Sequence, residues 1–246
     1  MPNENTYIYG KHPVEELLAA DPSRIQKIFI KKESSKGFDL INNLASQNKI
    51  PVSFLPGPRI KEFAGEDAVS QGVVALIGEV PFLDLEEFLA SLDLKANPAV
   101  FLLDEIEDPQ NVGAIIRSAA AFGFAGVVFG KHRQAPITSV VFKVSAGAAA
   151  KIPLVRVVNL NNALEKLKKA GFWTIALDQN AKNNIWQVDF EMPLCFILGG
   201  EAKGVREKTL EKADFTYRIP MERGIESLNV SASAAIVASE LARRKK

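Results

Sequence analysis

Leu194-Cys-Phe-Ile-Leu-Gly-Gly-Glu-Ala-Lys-Gly204 passes from an unbroken apolar run into a turn of small and charged residues. An apolar residue at every position, without alternation, marks a strand buried on both faces, and such strands belong to parallel sheets covered by helices. Gly199 and Gly200 follow at its carboxyl end, where open α/β sheets usually receive a ligand on exposed backbone N–H and C=O groups. The same short apolar pattern recurs at Val100-Phe-Leu-Leu103, Gly126-Val-Val-Phe129, Leu154-Val-Arg-Val-Val158 and Trp173-Thr-Ile-Ala-Leu177. Helical patterns at 111–122, 161–170, 205–212 and 229–243 separate or follow them. The alternation predicts an α/β domain over residues 98–246, with a parallel sheet wound by helices on each side.

Residues 1–80 read as a smaller α/β unit: an amphipathic helix at 12–20, a strand at 25–30, a helix at 38–47, and strands at 51–54 and 73–77. The acidic stretch 81–97 between the two reads as a linker. The whole chain is 47% hydrophobic and 24% charged, the balance of a soluble globular protein. No apolar run approaches the roughly 20 residues that span a bilayer, and the first ten residues lack the pattern of a signal peptide, so a cytoplasmic protein is expected.

Residue types and motifs exclude several chemistries. Cys195 is the only cysteine and lies inside an apolar strand, which forbids an internal disulfide and favours an inert buried thiol. With only His12 and His132, no multi-histidine metal centre can form, and no metal is expected. The first strand runs into Asp104-Glu-Ile-Glu-Asp108 rather than Gly-x-Gly-x-x-Gly, and those carboxylates would repel a pyrophosphate. A net charge of +1 does not by itself announce nucleic acid, and residues 1–80 carry nine Lys/Arg against ten Asp/Glu. Local clusters at Lys31-Lys32, Lys131-His-Arg133 and Arg243-Arg-Lys-Lys246 are available for phosphates, although solvated surface is their ordinary role.

Two further stretches carry polar groups beside apolar runs. In Asp108-Pro-Gln-Asn-Val-Gly-Ala-Ile-Ile-Arg117, Asn111 suits a helix cap and Gly113 permits close backbone approach. Asn111 and Arg117 are about 1.7 helical turns apart, so they border one cleft only if Asn111 precedes the helix. In Ile219-Pro-Met-Glu-Arg-Gly-Ile-Glu-Ser-Leu-Asn-Val-Ser231, a strand end leads through a loop to a helix that Ser227 or Asn229 can cap. Lys143-Val-Ser-Ala-Gly-Ala-Ala-Ala150 has the small residues of close backbone packing.

Together the three motifs around Asn111, Glu201 and Asn229 resemble those of the SpoU (TrmH) family of RNA ribose 2'-O-methyltransferases. Residues 6–80 are similar to that family's substrate-binding domain. The resemblance implies a catalytic domain threaded as a trefoil knot, a homodimer, and S-adenosyl-L-methionine (AdoMet) as methyl donor. It places the donor on Leu198, Gly199, Gly200, Ile219, Met221, Ser227 and Leu228. Asn111, Arg117, Glu201, Ser227 and Asn229 would form the catalytic cluster, with the 143–150 stretch near the donor. The family mechanism makes Arg117 the base, yet a guanidinium stays protonated in proteins. Arg117 is better suited to hold the target phosphate and stabilise alkoxide charge, with Glu201 an alternative proton acceptor. Tyr9-Gly-Lys-His-Pro-Val-Glu-Glu-Leu-Leu18 and Ser70-Gln-Gly-Val-Val-Ala75 look most like the branch that methylates a guanosine ribose in 23S rRNA. The alternatives are a tRNA guanosine methyltransferase and a catalytically inactive RNA-binding or ribosome-assembly protein.

Overall fold

A computed structural model describes residues 6–34, 37–64, 70–78, 82–201 and 203–244, and the chain divides into two units. The first contains β1 (Thr6–Tyr9), α1 (Lys11–Ala20), β2 (Ile25–Lys31), α2 (Asp39–Gln47), β3 (Val52–Leu55), α3 (Gly57–Ala64) and β4 (Val73–Ile77). Its sheet has the order β1-β4-β2-β3, with β4 antiparallel to both neighbours and β3 parallel to β2. Helical spacing decides what is buried: Val14, Leu17 and Leu18 form one stripe of α1, and Ile41 and Ala45 one of α2.

The rest of the chain forms α4 (Leu85–Ala90), β5 (Ala99–Asp104), α5 (Pro109–Ala121), β6 (Gly126–Gly130), α6 (Ser139–Val144), β7 (Leu154–Val157) and α7 (Leu160–Lys169). Then come β8 (Trp173–Leu177), β9 (Asn183–Asn184), β10 (Leu194–Gly199), α8 (Glu207–Leu210), β11 (Phe215–Arg218) and α9 (Val230–Arg244). The second unit's sheet is parallel throughout, in the order β7-β6-β5-β10-β8-β11-β9. Every residue of β5 and β6 is buried, as uniformly apolar strands require. Among the described residues no helix is long and apolar enough to cross a membrane.

Two boundaries differ from the sequence reading. Residues 82–97, expected as a linker, belong to the second unit. Leu83 bridges Val155 in parallel, and α4 places Leu85 and Phe88 in the core with Val100, Val128 and Val155. The Phe88 ring takes the space of a side chain at Gly126, where a Cβ would lie 2.7 Å from Cζ. An acidic amphipathic helix looks like a spacer until its apolar face finds this slot.

The second difference is that residues 137–151 pack with the first unit, although they fall between β6 and β7 of the second. Phe142 on α6 is fully buried, with the Arg24 guanidinium 5.3 Å above its ring. Lys143 lies 5.1 Å from the centre of the Tyr9 ring. Gly147 has positive φ and leaves no room for a side chain, since a Cβ would meet Glu16 Cβ at 2.6 Å. The small residues of 143–150 therefore serve close packing.

What positions the site is the place of β10. The chain moves outward through β5, β6 and β7, starts again on the other side with β8, and later inserts β10 between β5 and β8. The carboxyl ends of β5, β10 and β8 then stand side by side at a topological switch point, where open α/β sheets bind ligands. After β11 the chain returns to lay α9 on α5, a path consistent with the expected knot.

Candidate active site

Beyond β10 the backbone doubles back on itself. Gly204 N donates to Gly200 O at 2.8 Å, and a Cβ on Gly199 would lie 2.0 Å from Gly204 C and Val205 N. A Cβ on Gly200 would meet Glu105 O at 2.5 Å. Both glycines are required because backbone crosses directly over them. Arg206 pins the crossing to β5: its Nη2 lies 2.7 Å from Oδ1 of the fully buried Asp104, its N–H donates to Asp104 Oδ2 at 3.1 Å, and Nη1 meets Glu105 at 3.0 Å. The acidic residues after the first strand thus hold a loop in place.

The three motifs meet in a triangle of side chains. Asn111 Nδ2 donates to Glu201 Oε1 at 2.7 Å, and Asn229 Nδ2 donates to the same oxygen at 2.7 Å and to Asn111 Oδ1 at 3.0 Å. Asn229 Oδ1 also accepts from Ser231 N at 2.9 Å, capping α9. The cap of α5 is Asp108, whose carboxylate accepts from Gln110 N, rather than Asn111 as expected. Asn111 sits in the first turn of the helix, buried, and aimed at Glu201.

Arg117 stands apart. With Asn111 inside the helix, six residues rotate Arg117 onto another face of α5, where it is exposed and has no hydrogen bond or ion pair among the described residues. Ser227 is likewise exposed and outside the triangle. Of the basic clusters, Arg243 and Arg244 are engaged by Glu240 and Arg133 by Glu105, while Lys245 and Lys246 lie outside the described residues.

A cavity of about 690 Å³ opens beside the triangle at the strand ends. Its lining includes Leu198, Gly199, Gly200, Ile219, Met221, Ser227 and Leu228, together with Glu201 and Asn229. Asn111, Arg117 and residues 143–150 are not part of it. Residues that sequence reasoning missed also line it: Asp178 and Asn180 after β8, Tyr217 and Arg218 at the end of β11, Lys203 and Glu226. The strand-end rule applied to Trp173–Leu177 would have pointed to Asp178. The charged lining, Asp178, Glu201 and Glu226 against Lys203 and Arg218, suits a ligand with a net single positive charge, which AdoMet carries as sulfonium, ammonium and carboxylate.

Comparison with known proteins gives two family matches along the chain. Residues 98–239 match the SpoU rRNA Methylase family and residues 7–83 match RNA 2'-O ribose methyltransferase substrate binding. The 23S rRNA (guanosine-2'-O-)-methyltransferase RlmB of Pseudomonas putida is 37% identical over 97% of this chain and 96% of its own length. Its counterpart in Coxiella burnetii is 35% identical over 97% and 95%. The putative TrmH family tRNA/rRNA methyltransferase YacO of Bacillus subtilis is 32% identical over 100% and 98%. Among solved structures, the SpoU methyltransferase AviRb from Streptomyces viridochromogenes in complex with AdoMet superposes with a TM-score of 0.83, at 22% identity over 97% of this chain and 89% of that one. From the motif triangle at the strand ends to the full-length relatives, the chain belongs to the SpoU rRNA Methylase family.

Proposed function

We propose that this protein methylates the ribose 2'-hydroxyl of a guanosine in 23S rRNA, with AdoMet as methyl donor. The observation that carries the reading is the Asn111–Glu201–Asn229 triangle beside a strand-end cavity with a net negative lining. When bound, AdoMet supplies an electrophilic methyl group on its sulfonium. The backbone at Gly199, Ile219 and Leu228 would hold the adenosine part, with Leu198, Gly200, Met221 and Ser227 closing around it. Direct transfer needs an in-line oxygen, so most of the acceleration is positioning. The two amides use Glu201 Oε1 and leave Oε2 without a hydrogen bond among the described residues, free to orient or deprotonate the ribose hydroxyl. Arg117 would hold the target phosphate and stabilise alkoxide charge, its guanidinium being a poor base. No metal enters this scheme.

A homodimer fits the same reading, because Arg117 is exposed on α5 and outside the cavity lining of its own chain. The first unit would carry the RNA-recognition surface, and the cytoplasm is where such a substrate is found. The deciding experiment maps 2'-O-methylation across total RNA with and without the protein. A new 2'-O-methylguanosine in large-subunit rRNA is expected, and a methyl group found only in tRNA would overturn the substrate. Absence of AdoMet binding by calorimetry would instead favour an inactive RNA-binding protein.

A further inference from the structure

We infer that Asp178 is a cofactor-binding residue whose carboxylate accepts hydrogen bonds from the ribose diol of AdoMet, an inference that rests on the donor assignment above. Asp178 directly follows β8, which lies between β10 and β11. Ile197 pairs with Ala176 and Tyr217 with Leu177, so continuing the register brings Asp178 level with Gly199 on one side and Arg218 on the other. Those are the strand ends assigned to the adenosine part of the donor.

The geometry leaves one acceptor of Asp178 unused. Its backbone N–H donates to Tyr217 O at 3.0 Å, and Oδ1 accepts from Asn180 N at 3.0 Å and from Asn180 Nδ2 at 3.4 Å. Oδ2 has no hydrogen bond among the described residues, and Asp178 lines the cavity. Neighbouring Arg218 turns its Nε to Asn184 Oδ1 at 3.4 Å, and no ion pair joins it to Asp178 among the described residues. The cavity's other carboxylates are less suited: the free oxygen of Glu201 is the one assigned above to the ribose hydroxyl of the RNA, and Glu226 belongs to the loop between β11 and α9 rather than to the end of a strand. A carboxylate at the end of a strand is a common acceptor for a nucleoside's vicinal hydroxyls, as in dinucleotide-binding folds.

The test is calorimetry on the full-length protein without RNA, using AdoMet, S-adenosylhomocysteine and 5'-methylthioadenosine, all of which carry the diol. Asp178→Asn keeps the oxygen that accepts from Asn180 N and replaces the free acceptor with an amide donor. All three dissociation constants should rise by roughly 10- to 100-fold, the range for one hydrogen bond to a charged group, with the melting temperature of the ligand-free protein unchanged. The unsubstituted protein should bind the 2'-deoxy form of 5'-methylthioadenosine about tenfold more weakly than 5'-methylthioadenosine itself, a measurement that needs no variant. Unchanged affinities would overturn the inference while leaving the donor assignment standing. A loss confined to AdoMet would also overturn it, by showing attraction to the sulfonium rather than contact with the diol. An unsubstituted protein that binds none of the three would remove the donor assignment and this inference with it.

Discussion

At the scale of single residues, the site separates groups that are held from groups that are free. Asn111, Glu201 and Asn229 fix one another, whereas Arg117 touches none of them. Arg117→Ala should therefore slow methylation by roughly 100-fold or more while AdoMet affinity stays within a few fold, as single-turnover rates and calorimetry would measure. Arg117→Lys keeps charge but loses the planar fork, so partial rescue with an unchanged pH profile is expected. A rate limb displaced to lower pH would instead make residue 117 the base. Cys195 is the opposite case. Burial, and secondarily Asp214, pushes its thiol well above the ordinary range, and it should resist alkylation until the protein unfolds.

At the scale of elements, α9 is anchored at both ends. Asn229→Ala removes its cap and should cost about 1 kcal/mol, or a few degrees in Tm, together with activity. Asn229→Ser restores the cap with a side chain too short to span the triangle, so thermal melts should recover while the methylation rate does not. At the other end Glu240 accepts from Arg243 Nε and Nη2 at 2.8 and 2.7 Å, and from Arg244 Nε at 2.6 Å. Hydrogen bonds from Arg243 first and Arg244 next hold its pKa at about 2 against the opposing effect of burial. A depressed carboxylate contributes stability that is complete above its unfolded pKa of about 4.3 and is lost as pH falls through the folded one. Urea melts should show Glu240→Gln to be less stable than the parent at pH 7, with the gap closing between about pH 4.3 and 2. The elements themselves were unequally legible. β5, β6 and β10 announce themselves through unbroken apolar runs, but β9 is two asparagines and α6 only six residues, too short for a period to emerge. The same limit hid Asp178, which belongs to no motif and gains meaning only when β8 is seated between β10 and β11. Asp108 and Asn111 both suit a helix cap, and composition alone does not say which of the two starts the helix.

At the scale of the whole molecule, the cavity lining runs from Leu177 to Ser233, within the second unit. A fragment of residues 82–246 should bind AdoMet about as tightly as the full chain but methylate RNA poorly. Starting at residue 98 instead strips Leu85 and Phe88 from the core, a change on the scale of a Phe→Ala truncation, about 3–5 kcal/mol or more, readable as a lower urea midpoint. Equal midpoints for the two fragments would show that α4 contributes nothing. Both fragments uncover Val141 and Phe142, so light scattering should find them more prone to self-association than the parent. The placement of residues 137–151 in the first unit has a consequence for synthesis. That unit is not finished when residue 81 leaves the ribosome, because α6 is encoded about 60 residues later, between strands of the other sheet. At roughly 5–20 residues per second, its nascent sheet waits several seconds or longer with the seat of Phe142 unfilled, while β5 and β6 emerge. Vectorial folding of one unit after the other is therefore closed to this chain, and a ribosome stalled just before α6, with residues 6–81 already outside it, should display a first unit that is still open to protease.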